Sequence, residues 1–431
     1  MLAALLSRVG LKTREQRAWA WYDWANSVYF TTVITAVFPS FYATYAARGL
    51  GLDQAQITAR FSLITTISVA TIAIAAPILG AVADYSGIKK RLLAIFMLIG
   101  VVSCAAMAMI GEGQLGLASV LFFIGNIGAS GSLVFYDSLL PHVAPAHEGD
   151  RVSSAGYAMG YCSGGILLLI NLAWILSPQT FGFADAAAAT KASFVAVALW
   201  WAAFSIPLFR TIREPESSDE HERGSVIKVA FGRLGQTFRE IRKYRNAFLL
   251  FIAMLLYQDG IQTVIRMSSV YGAEVGIDTN LQIAAFVMVQ FVGIPFAFLF
   301  GALGQKIGTK KCIFIAIGVY VVAASLAYFM TSVAHFFVLA FLVATVLGGS
   351  QALSRALFAR LIPQDRTSEF FGFFAVSERF ATIMGPVLFF ISATITGSSR
   401  AAIIGIIGLF IAGAFVLSMV NEEEGIKAAS A

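Results

Sequence analysis

Charged residues are scarce in this chain: Asp, Glu, Lys and Arg make up 13% of its 431 residues, whereas hydrophobic residues make up 58%. A soluble protein of this length carries charge on about a quarter of its residues, so the composition excludes an ordinary soluble protein. The net charge of +6 comes from cations spread over short loops, so no basic patch for nucleic acid is expected. The composition therefore indicates an integral membrane protein in contact with lipid.

Cysteine and catalytic motifs are also nearly absent. The three cysteines, Cys104, Cys162 and Cys312, are isolated within apolar segments, so neither a disulfide framework nor a metal site is expected. The chain has no phosphate-binding Gly-Lys-Ser/Thr loop, which argues against an ATP-driven pump. It also shows no nucleophile–base pair, so we expect neither an enzyme nor a cofactor. The N-terminal apolar stretch is too short for a signal peptide and is followed by basic residues.

Apolar runs long enough to cross a bilayer, about 20 residues each, recur twelve times. They are predicted at residues 18–46, 58–83, 91–111, 115–136, 152–177, 188–209, 247–271, 280–303, 311–331, 335–358, 369–395 and 400–420. One long polar segment divides them six and six. We therefore predict an all-α membrane protein with twelve transmembrane helices. It would have an N-terminal six-helix bundle (1–209), a cytoplasmic linker (210–246) and a C-terminal six-helix bundle (247–431).

Lys and Arg are concentrated in alternate loops. The basic segments are the N-terminus, residues 89–91, the central linker, residues 306–311 and residues 360–366. By the positive-inside rule both termini are expected in the cytoplasm. The expected location is the plasma (inner) membrane, with an organelle membrane as the alternative, and the protein is expected to act as a monomer surrounded by lipid.

The two predicted bundles share short sequence patterns. Gly80-x3-Asp84-x2-Gly87-x-Lys89-Lys90-Arg91 recurs 221 positions later as Gly301-x3-Gln305-x2-Gly308-x-Lys310-Lys311. The triplet Leu139-Leu-Pro141 recurs 222 positions later as Leu361-Ile-Pro363. Two matches at nearly one offset indicate parallel repeats, which are typical of secondary transporters.

The glycine and lysine pattern of these loops resembles the signature of the major facilitator superfamily. In that resemblance Gly80 and Gly87 permit the turn, Lys89, Lys90 and Arg91 hold the loop at the cytoplasmic surface, and Asp84 latches one conformation. The lysines could instead serve only as topology anchors. The chain departs from the superfamily pattern at Tyr85, where Arg is common, and at the uncharged Gln305, so the second copy is not expected to be an equal charge latch.

Three further stretches resemble the vacuole effluxer family, a major facilitator subfamily. They are Trp21-Tyr-Asp-Trp-Ala-Asn-Ser27, the region from Pro141 to Gly165, and Phe370-Phe-Gly-Phe-Phe-Ala-Val-Ser-Glu-Arg-Phe380 with Gly385-Pro386. The best-known members of that family export amino acids from the fungal vacuole during autophagy. The resemblance therefore implies an exporter of small solutes.

Asp23 stands at the beginning of the first apolar run and shares a predicted helix face with Asn26, Ser27 and Thr31. A carboxylate inside a bilayer costs several kcal/mol unless it is paired, hydrated or protonated, so we expect this face to line a water-filled interior. The functional interpretation is a proton carrier or a site for a substrate ammonium group. The alternative is an interfacial residue close to the cytoplasm.

Asp259 lies about twelve residues into the seventh run and shares a face with Gln262, Thr263 and Arg266. This polar stripe is predicted to face a central cavity, or alternatively to form ion pairs that gate the two bundles. Asp259 and Arg266 are two turns apart, so each needs a partner from elsewhere.

Arg355 and Glu378 are the other ionisable residues within apolar runs that concern the predicted site. Because an isolated buried Arg is costly, we predict that Arg355 pairs with Glu378 or with Asp23. A static ion pair is one interpretation. The other is recognition of an amino acid, with Asp259 or Asp23 accepting its ammonium group and Arg355 or Arg266 binding its carboxylate.

Small residues recur in the fifth run, where Gly156, Gly160 and Gly164 are spaced by four. This spacing predicts a smooth stripe for close helix packing.

The leading hypothesis is a secondary transporter of amino acids or related metabolites that works by alternating access. If transport is coupled to protons, Asp23 and Asp259 are the expected proton carriers. A drug or amphipath exporter is the second hypothesis. A membrane receptor or scaffold with the same fold is the third.

Overall fold

The computed structural model of this protein describes residue 7 and residues 10–52, 54–145, 147–215, 244–277, 279–380 and 400–430. Twelve long helices, α1 to α12, run Arg14–Val28, Gln54–Ser86, Lys89–Ala106, Leu115–Ser138, Gly149–Leu176, Ala186–Thr211, Arg245–Glu274, Thr279–Ile307, Thr309–Tyr328, Val333–Arg360, Thr367–Phe380 and Arg400–Ser418. Short helices cover Phe38–Phe41, Leu140–Val143 and Glu422–Ser430. Ten of these helices follow the predicted apolar runs to within a few residues; α1 ends earlier than the first run, and the end of the eleventh run lies outside the described residues.

Nine helices in the described part of the chain are long and apolar enough to cross a membrane. Ala402–Ser418 and Glu422–Ala429, which meet at an angle of 64°, form a tenth candidate if they count as one span. α1 gains its length from two π-helical segments that follow it, Tyr29–Val37 and Tyr42–Ala46. Large apolar side chains stay exposed on the outer helix faces, for example Ile74 (72%) and Leu199 (65%), as a lipid environment requires.

The repeated glycine pattern forms the turns between α2 and α3 and between α8 and α9. Gly87 and Gly308 have φ values of 61° and 96°, a left-handed conformation that strains residues with a side chain. This requirement explains why both copies of the pattern keep glycine at this place. We call the end of the molecule that carries these turns and the N-terminus the basic end.

The two halves, α1–α6 and α7–α12, meet through closely packed helices. A Cβ atom on Gly80 of α2 would overlap the backbone of Ser368 in α11, and one on Gly372 would lie 2.6 Å from the carbonyl oxygen of Ala76. On the other side of the interface, a Cβ atom on Gly301 of α8 would lie 2.7 Å from the side chain of Ser154 in α5. Small residues therefore bring α2 to α11 and α5 to α8. The predicted linker, 210–246, lies mostly outside the described residues.

Candidate functional site

Arg355 of α10 lies in the interface between the halves, with 3% of the residue exposed. Its Nη1 donates to Asp137 Oδ1 (3.0 Å), and its Nη2 contacts Asp23 Oδ2 (3.3 Å). Its Nε donates to Ser153 Oγ (2.8 Å), and Nη2 also donates to the Ser153 carbonyl oxygen (3.0 Å). The predicted pair between Arg355 and Asp23 is thus present, whereas the side chain of Glu378, the other predicted partner, lies outside the described part.

Three aromatic rings surround the same guanidinium group. Its central carbon lies 4.5 Å from the ring centroid of Tyr157, 4.7 Å from that of Trp19 and 5.7 Å from that of Tyr136. Trp19 and Tyr136 are fully buried and stack on each other at 4.5 Å. A guanidinium enclosed in this way gains cation–π attraction in addition to its ion pairs.

The described partners of Arg355 come from α1, α4 and α5, all in the N-terminal half. A buried cation is tolerated only where carboxylates and hydrogen-bond acceptors compensate for its lost hydration. Because Arg355 itself belongs to the C-terminal half, the compensation from these described partners is available only while the halves are together. The cluster therefore stabilises the closed arrangement of the basic end.

The face of α1 that carries Asp23 packs against α5 in this structure, and its contact with a water-filled interior stays a prediction. A Cβ atom on Gly156 would overlap the carboxylate of Asp23, and one on Gly160 would overlap the hydroxyl of Ser27. The glycine stripe of α5 thus packs directly against this face. Close packing was the predicted role of the stripe. Asp23 pairs with Arg355 and accepts a hydrogen bond from Tyr136 (2.7 Å).

A first clamp between the halves consists of Asp84 and Lys89 in the N-terminal half and the N-terminus of α11. The backbone N–H groups of Ser368 and Glu369 donate to the two oxygens of Asp84, at 3.1 and 2.8 Å. Lys89 Nζ pairs with Asp84 Oδ1 (2.8 Å) and donates to Thr367 Oγ1 (2.7 Å). A carboxylate at a helix N-terminus is favourable because it meets free N–H groups and the positive end of the helix dipole.

Lys89 is buried, with only 3% of it exposed. Lys90 is also engaged: its Nζ donates to the carbonyl oxygens of Phe209 (3.0 Å) and Ile212 (2.7 Å) at the end of α6. The side chain of Arg91 is exposed. The charge of Lys89 is therefore used within the clamp. Anchoring of the loop at the membrane surface by the three cations stays a prediction.

A second clamp occupies the related position in the other half and distributes its charges differently. Here Asp150, at the start of α5, accepts a hydrogen bond from Thr309 (2.6 Å) and pairs with Arg360 (3.3 Å). Gln305, the counterpart of Asp84, donates to the carbonyl oxygen of His147 (2.9 Å), its one hydrogen bond with the described residues. In this second clamp the carboxylate lies on α5 of the N-terminal half, and its partners Thr309 and Arg360 lie in the C-terminal half. In the first clamp the carboxylate, Asp84, is part of the repeated loop pattern itself.

Glu148, just before α5, ties the N-terminal segment to the first half. It accepts hydrogen bonds from Lys12 Nζ (2.6 Å) and Gln16 Nε2 (2.7 Å). The bond from Lys12, and after it the bond from Gln16, hold the pKa of Glu148 below its usual range. This contact fixes the beginning of α1 at the basic end.

The described contacts of the residues predicted on α7 do not include the Arg355 cluster. Asp259 is buried (2% exposed), and its carboxylate and carbonyl oxygens accept from Thr263 Oγ1, at 3.3 and 2.6 Å. Gln262 is half-buried, and the side chain of Arg266 lies outside the described part. Asn26 is buried, and its Nδ2 has no hydrogen-bond partner among the described residues. Asp259 is not among the described partners of Arg355.

Sequence reasoning missed four residues that join the halves: Asp137, Asp150, Ser153 and Arg360. Both acids lie at helix ends, where a charge is usually solvated. Asp137 is one residue beyond the predicted run 115–136, and Asp150 is two residues before the predicted run 152–177. The uncharged Gln305 indicates that a second clamp needs an acid from elsewhere, but it does not point to Asp150.

A family model described as "Vacuole effluxer Atg22 like" matches residues 49–430. The "Uncharacterized MFS-type transporter YxiO" of Bacillus subtilis (strain 168) is 38% identical over 412 residues, 95% of this chain and 96% of the relative. "Autophagy-related protein 22" of Yarrowia lipolytica is 25% identical over 317 residues, 66% of this chain but only 52% of the relative. The chain thus spans about half the length of that fungal relative.

Two solved structures show the same fold. The proton:xylose symporter XylE, bound to 6-bromo-6-deoxy-D-glucose, has a TM-score of 0.71 at 15% identity and matches over 96% of each chain. The transporter FucP, in the outward conformation, has a TM-score of 0.70 at 14% identity, over 96% of this chain and all of that one. The predicted fold, twelve helices in two pseudo-symmetric bundles, is thereby confirmed. The chain belongs to the vacuole effluxer Atg22-like family of the major facilitator superfamily, and it is a multi-pass membrane transporter rather than an enzyme.

Proposed function

We propose that this protein exports amino acids or related small metabolites by alternating access, with protons as the coupling ion. The observation that carries the proposal is the buried cluster of Arg355, Asp23 and Asp137, because it joins the halves through charges that must separate when the basic end opens. A static structural protein would gain little from an interface of this kind, since apolar residues of similar volume are as stabilising or more so.

The closed basic end is one of the two states that alternating access requires. Each of the two clamps and the Arg355 cluster contributes contacts that cross between the halves at this end. Such contacts are polar and specific, so they can be broken and re-formed without exposing a large apolar surface to water. This supports a cycle in which the basic end opens to take up substrate.

Recognition of an amino acid requires an acceptor for its ammonium group and a donor for its carboxylate group. Asp259 or Asp23 would provide the acceptor, and Arg355 or Arg266 the donor. Asn26 carries a buried amide N–H without a described partner and would add a donor. The side chains proposed to meet the substrate or the proton are Asp23, Asn26, Asp259, Gln262, Arg266, Arg355 and Glu378.

Proton coupling is supported by what happens to the carboxylates when Arg355 moves away. Asp23 and Asp137 would remain as two acidic groups in a site enclosed by apolar and aromatic side chains. Charges in such surroundings need a counter-ion or neutralisation. A proton taken up at this point would link the opening of the basic end to the proton gradient.

The direct test is flux through purified protein in liposomes that hold a mixture of labelled amino acids, with and without a pH gradient. We expect export that depends on the gradient and falls at least about tenfold in Arg355→Gln and Asp259→Asn, since each loses an interaction with a charged group. Arg48→Gln is the matched control, because Arg48 pairs with Glu112 at exposed positions (62% and 52% of the side chains) and its loss should leave flux unchanged.

Near-wild-type flux in both variants would overturn the proposal. Transport of hydrophobic cations or dyes without amino-acid flux would favour a drug or amphipath exporter. Ligand binding without flux of any solute would indicate a receptor.

Location and orientation belong to the same proposal: both termini face the cytoplasm, and the protein resides in the plasma (inner) membrane. The basic end then faces the cytoplasm and is the entry side for an exporter. Labelling of a cysteine introduced at exposed Lys311 in intact cells, compared with broken cells, tests this orientation. Labelling in intact cells by an impermeant reagent would contradict it.

A further inference from the structure

We infer that the N-terminal half contains a binding site for a small organic cation, a guanidinium or primary ammonium group such as that of a basic amino acid. While the basic end is closed, Arg355 fills this site as a tethered cation. The inference rests on the proposed transport function and names the substrate class for it. We call the site the cation box and define it by Trp19, Asp23, Tyr136, Asp137, Ser153 and Tyr157.

The origin of the contacts is the first argument. The six residues of the cation box lie on α1, α4 and α5, and Arg355 enters from α10 of the other half. Two carboxylates, one carbonyl oxygen and one hydroxyl oxygen accept from its guanidinium within 3.3 Å. When the halves part at the basic end, Arg355 leaves with α10, and the acceptors remain behind in the N-terminal half.

The chemistry of the lining is the second argument. Carboxylates combined with aromatic faces at 4.5 to 5.7 Å form a lining that attracts a cation and discriminates against anions and neutral solutes. The planar guanidinium of Arg355 already shows that a group of this size and charge fits. A free ligand with the same group, or with a primary ammonium group, can use the same acceptors.

Three members of the cation box, Trp19, Asp23 and Tyr136, are held in place by contacts within their own half, which is the third argument. Trp19 Nε1 donates to the carbonyl oxygen of Tyr136 (3.0 Å), and the Tyr136 hydroxyl donates to Asp23 (2.7 Å). Gly156 forms the floor, where a Cβ atom would lie 3.0 Å from the Trp19 ring and overlap Asp23. None of these contacts needs Arg355, so the site is expected to keep its shape when Arg355 withdraws.

Opening the basic end would take Arg355 away from the carboxylates of Asp23 and Asp137. A soluble cation that enters the cation box restores the compensation, whereas a neutral solute does not. Binding of the cation and opening of the basic end are therefore linked, and the ligand competes with Arg355 for one place. This exchange gives a reason for a cationic substrate rather than any small solute.

The first experiment empties the cation box without opening the protein. Arg355→Ala in the full chain is purified, and its Tm is measured during titration with guanidinium chloride at millimolar concentrations, with urea as the neutral probe of the same shape. We expect the Tm of the variant to rise progressively once the guanidinium concentration exceeds its Kd, as it does for any ligand of the folded state. Urea should have no such effect, and wild type should respond to neither.

Arg360→Ala is the matched control, because Arg360 also joins the halves by pairing with Asp150, with no aromatic ring against it among the described residues. It should not respond to guanidinium. If Arg355→Ala fails to fold, Arg355→Ala combined with Asp23→Asn leaves one carboxylate and is titrated in the same way. Equal responses to guanidinium and urea, or stabilisation by lower pH with no effect of guanidinium, would overturn the inference.

The second experiment measures flux of arginine and lysine against leucine in liposomes that contain wild type or Asp137→Asn. We expect the basic amino acids to be carried and their apparent affinity to fall at least about tenfold in the variant, since a charge-assisted hydrogen bond is lost. Leucine flux without any flux of basic amino acids, together with absent guanidinium rescue, would refute the cation box alone. Guanidinium rescue without flux of any amino acid would refute the proposed function and leave the cation box.

Discussion

Loss of the Asp84 carboxylate should open the basic end, whereas loss of its counterpart Gln305 should not. In Asp84→Asn one oxygen becomes an NH2 group, which cannot accept from the N–H groups of Ser368 and Glu369. Two charge-assisted hydrogen bonds between the halves are weakened, each worth about 1.5–3 kcal/mol. Taking about 3 kcal/mol for the pair, the ratio of open to closed protein should rise about 100-fold.

The matched change is Gln305→Ala. Gln305 is exposed, and its amide makes one neutral hydrogen bond to a carbonyl oxygen between the halves. Such a bond contributes about 1 kcal/mol, so the ratio should change by about fivefold or less. The two positions are related by the internal repeat, which makes the comparison a test of charge and burial and not of location.

The assay is a distance measurement between spin labels on cysteines introduced at Arg14 and Lys311, both exposed at the basic end. The native cysteines, Cys104, Cys162 and Cys312, are replaced beforehand. Wild type should give one short distance, and Asp84→Asn should add a longer one that Gln305→Ala lacks. An unchanged distribution in Asp84→Asn, or an equal change in both variants, would refute this account of the first clamp.

Three other predictions follow from single contacts. Gly156→Ala should lower the Tm of the purified protein by several degrees and abolish transport, because overpacking a close helix contact costs about 1–3 kcal/mol; an unchanged Tm would show that α5 can shift away. Wild type should have a higher Tm than Glu148→Gln at neutral pH, and this difference should disappear as the pH falls through the lowered pKa of Glu148. The reason is that protonation of Glu148 removes its ion pair with Lys12. A difference in Tm that persists in acid would contradict this. The double variant Ser138→Cys, Ser368→Cys should form a disulfide that blocks transport until it is reduced. The two serine hydroxyl oxygens lie 3.0 Å apart and belong to different halves, so cysteines at these places can be bridged. Rapid transport by the oxidised form would show that the basic end need not open.

The internal repeat shows how far the sequence leads. The glycine spacing at Gly87 and Gly308 predicted two related turns, and both adopt the left-handed conformation that explains the glycine. The uncharged Gln305 predicted that the second clamp would differ from the first, and it does. The position of the replacement carboxylate at Asp150 was not predictable, because it lies on a helix of the other half and is distant in the chain.

The sequence by itself determined the membrane setting, the number of helices, the family and the burial of Asp23 and Asp259, because long apolar runs and costly charges leave few alternatives in lipid. Only the tertiary structure decided which charges meet. Arg355 lies 332 positions from Asp23 and 218 from Asp137, and no local spacing relates them. Their meeting depends on how α10 packs against α5, which brings the side chain of Arg355 to α1 and α4. That packing is set by shape over the whole interface and not by any one segment of the chain.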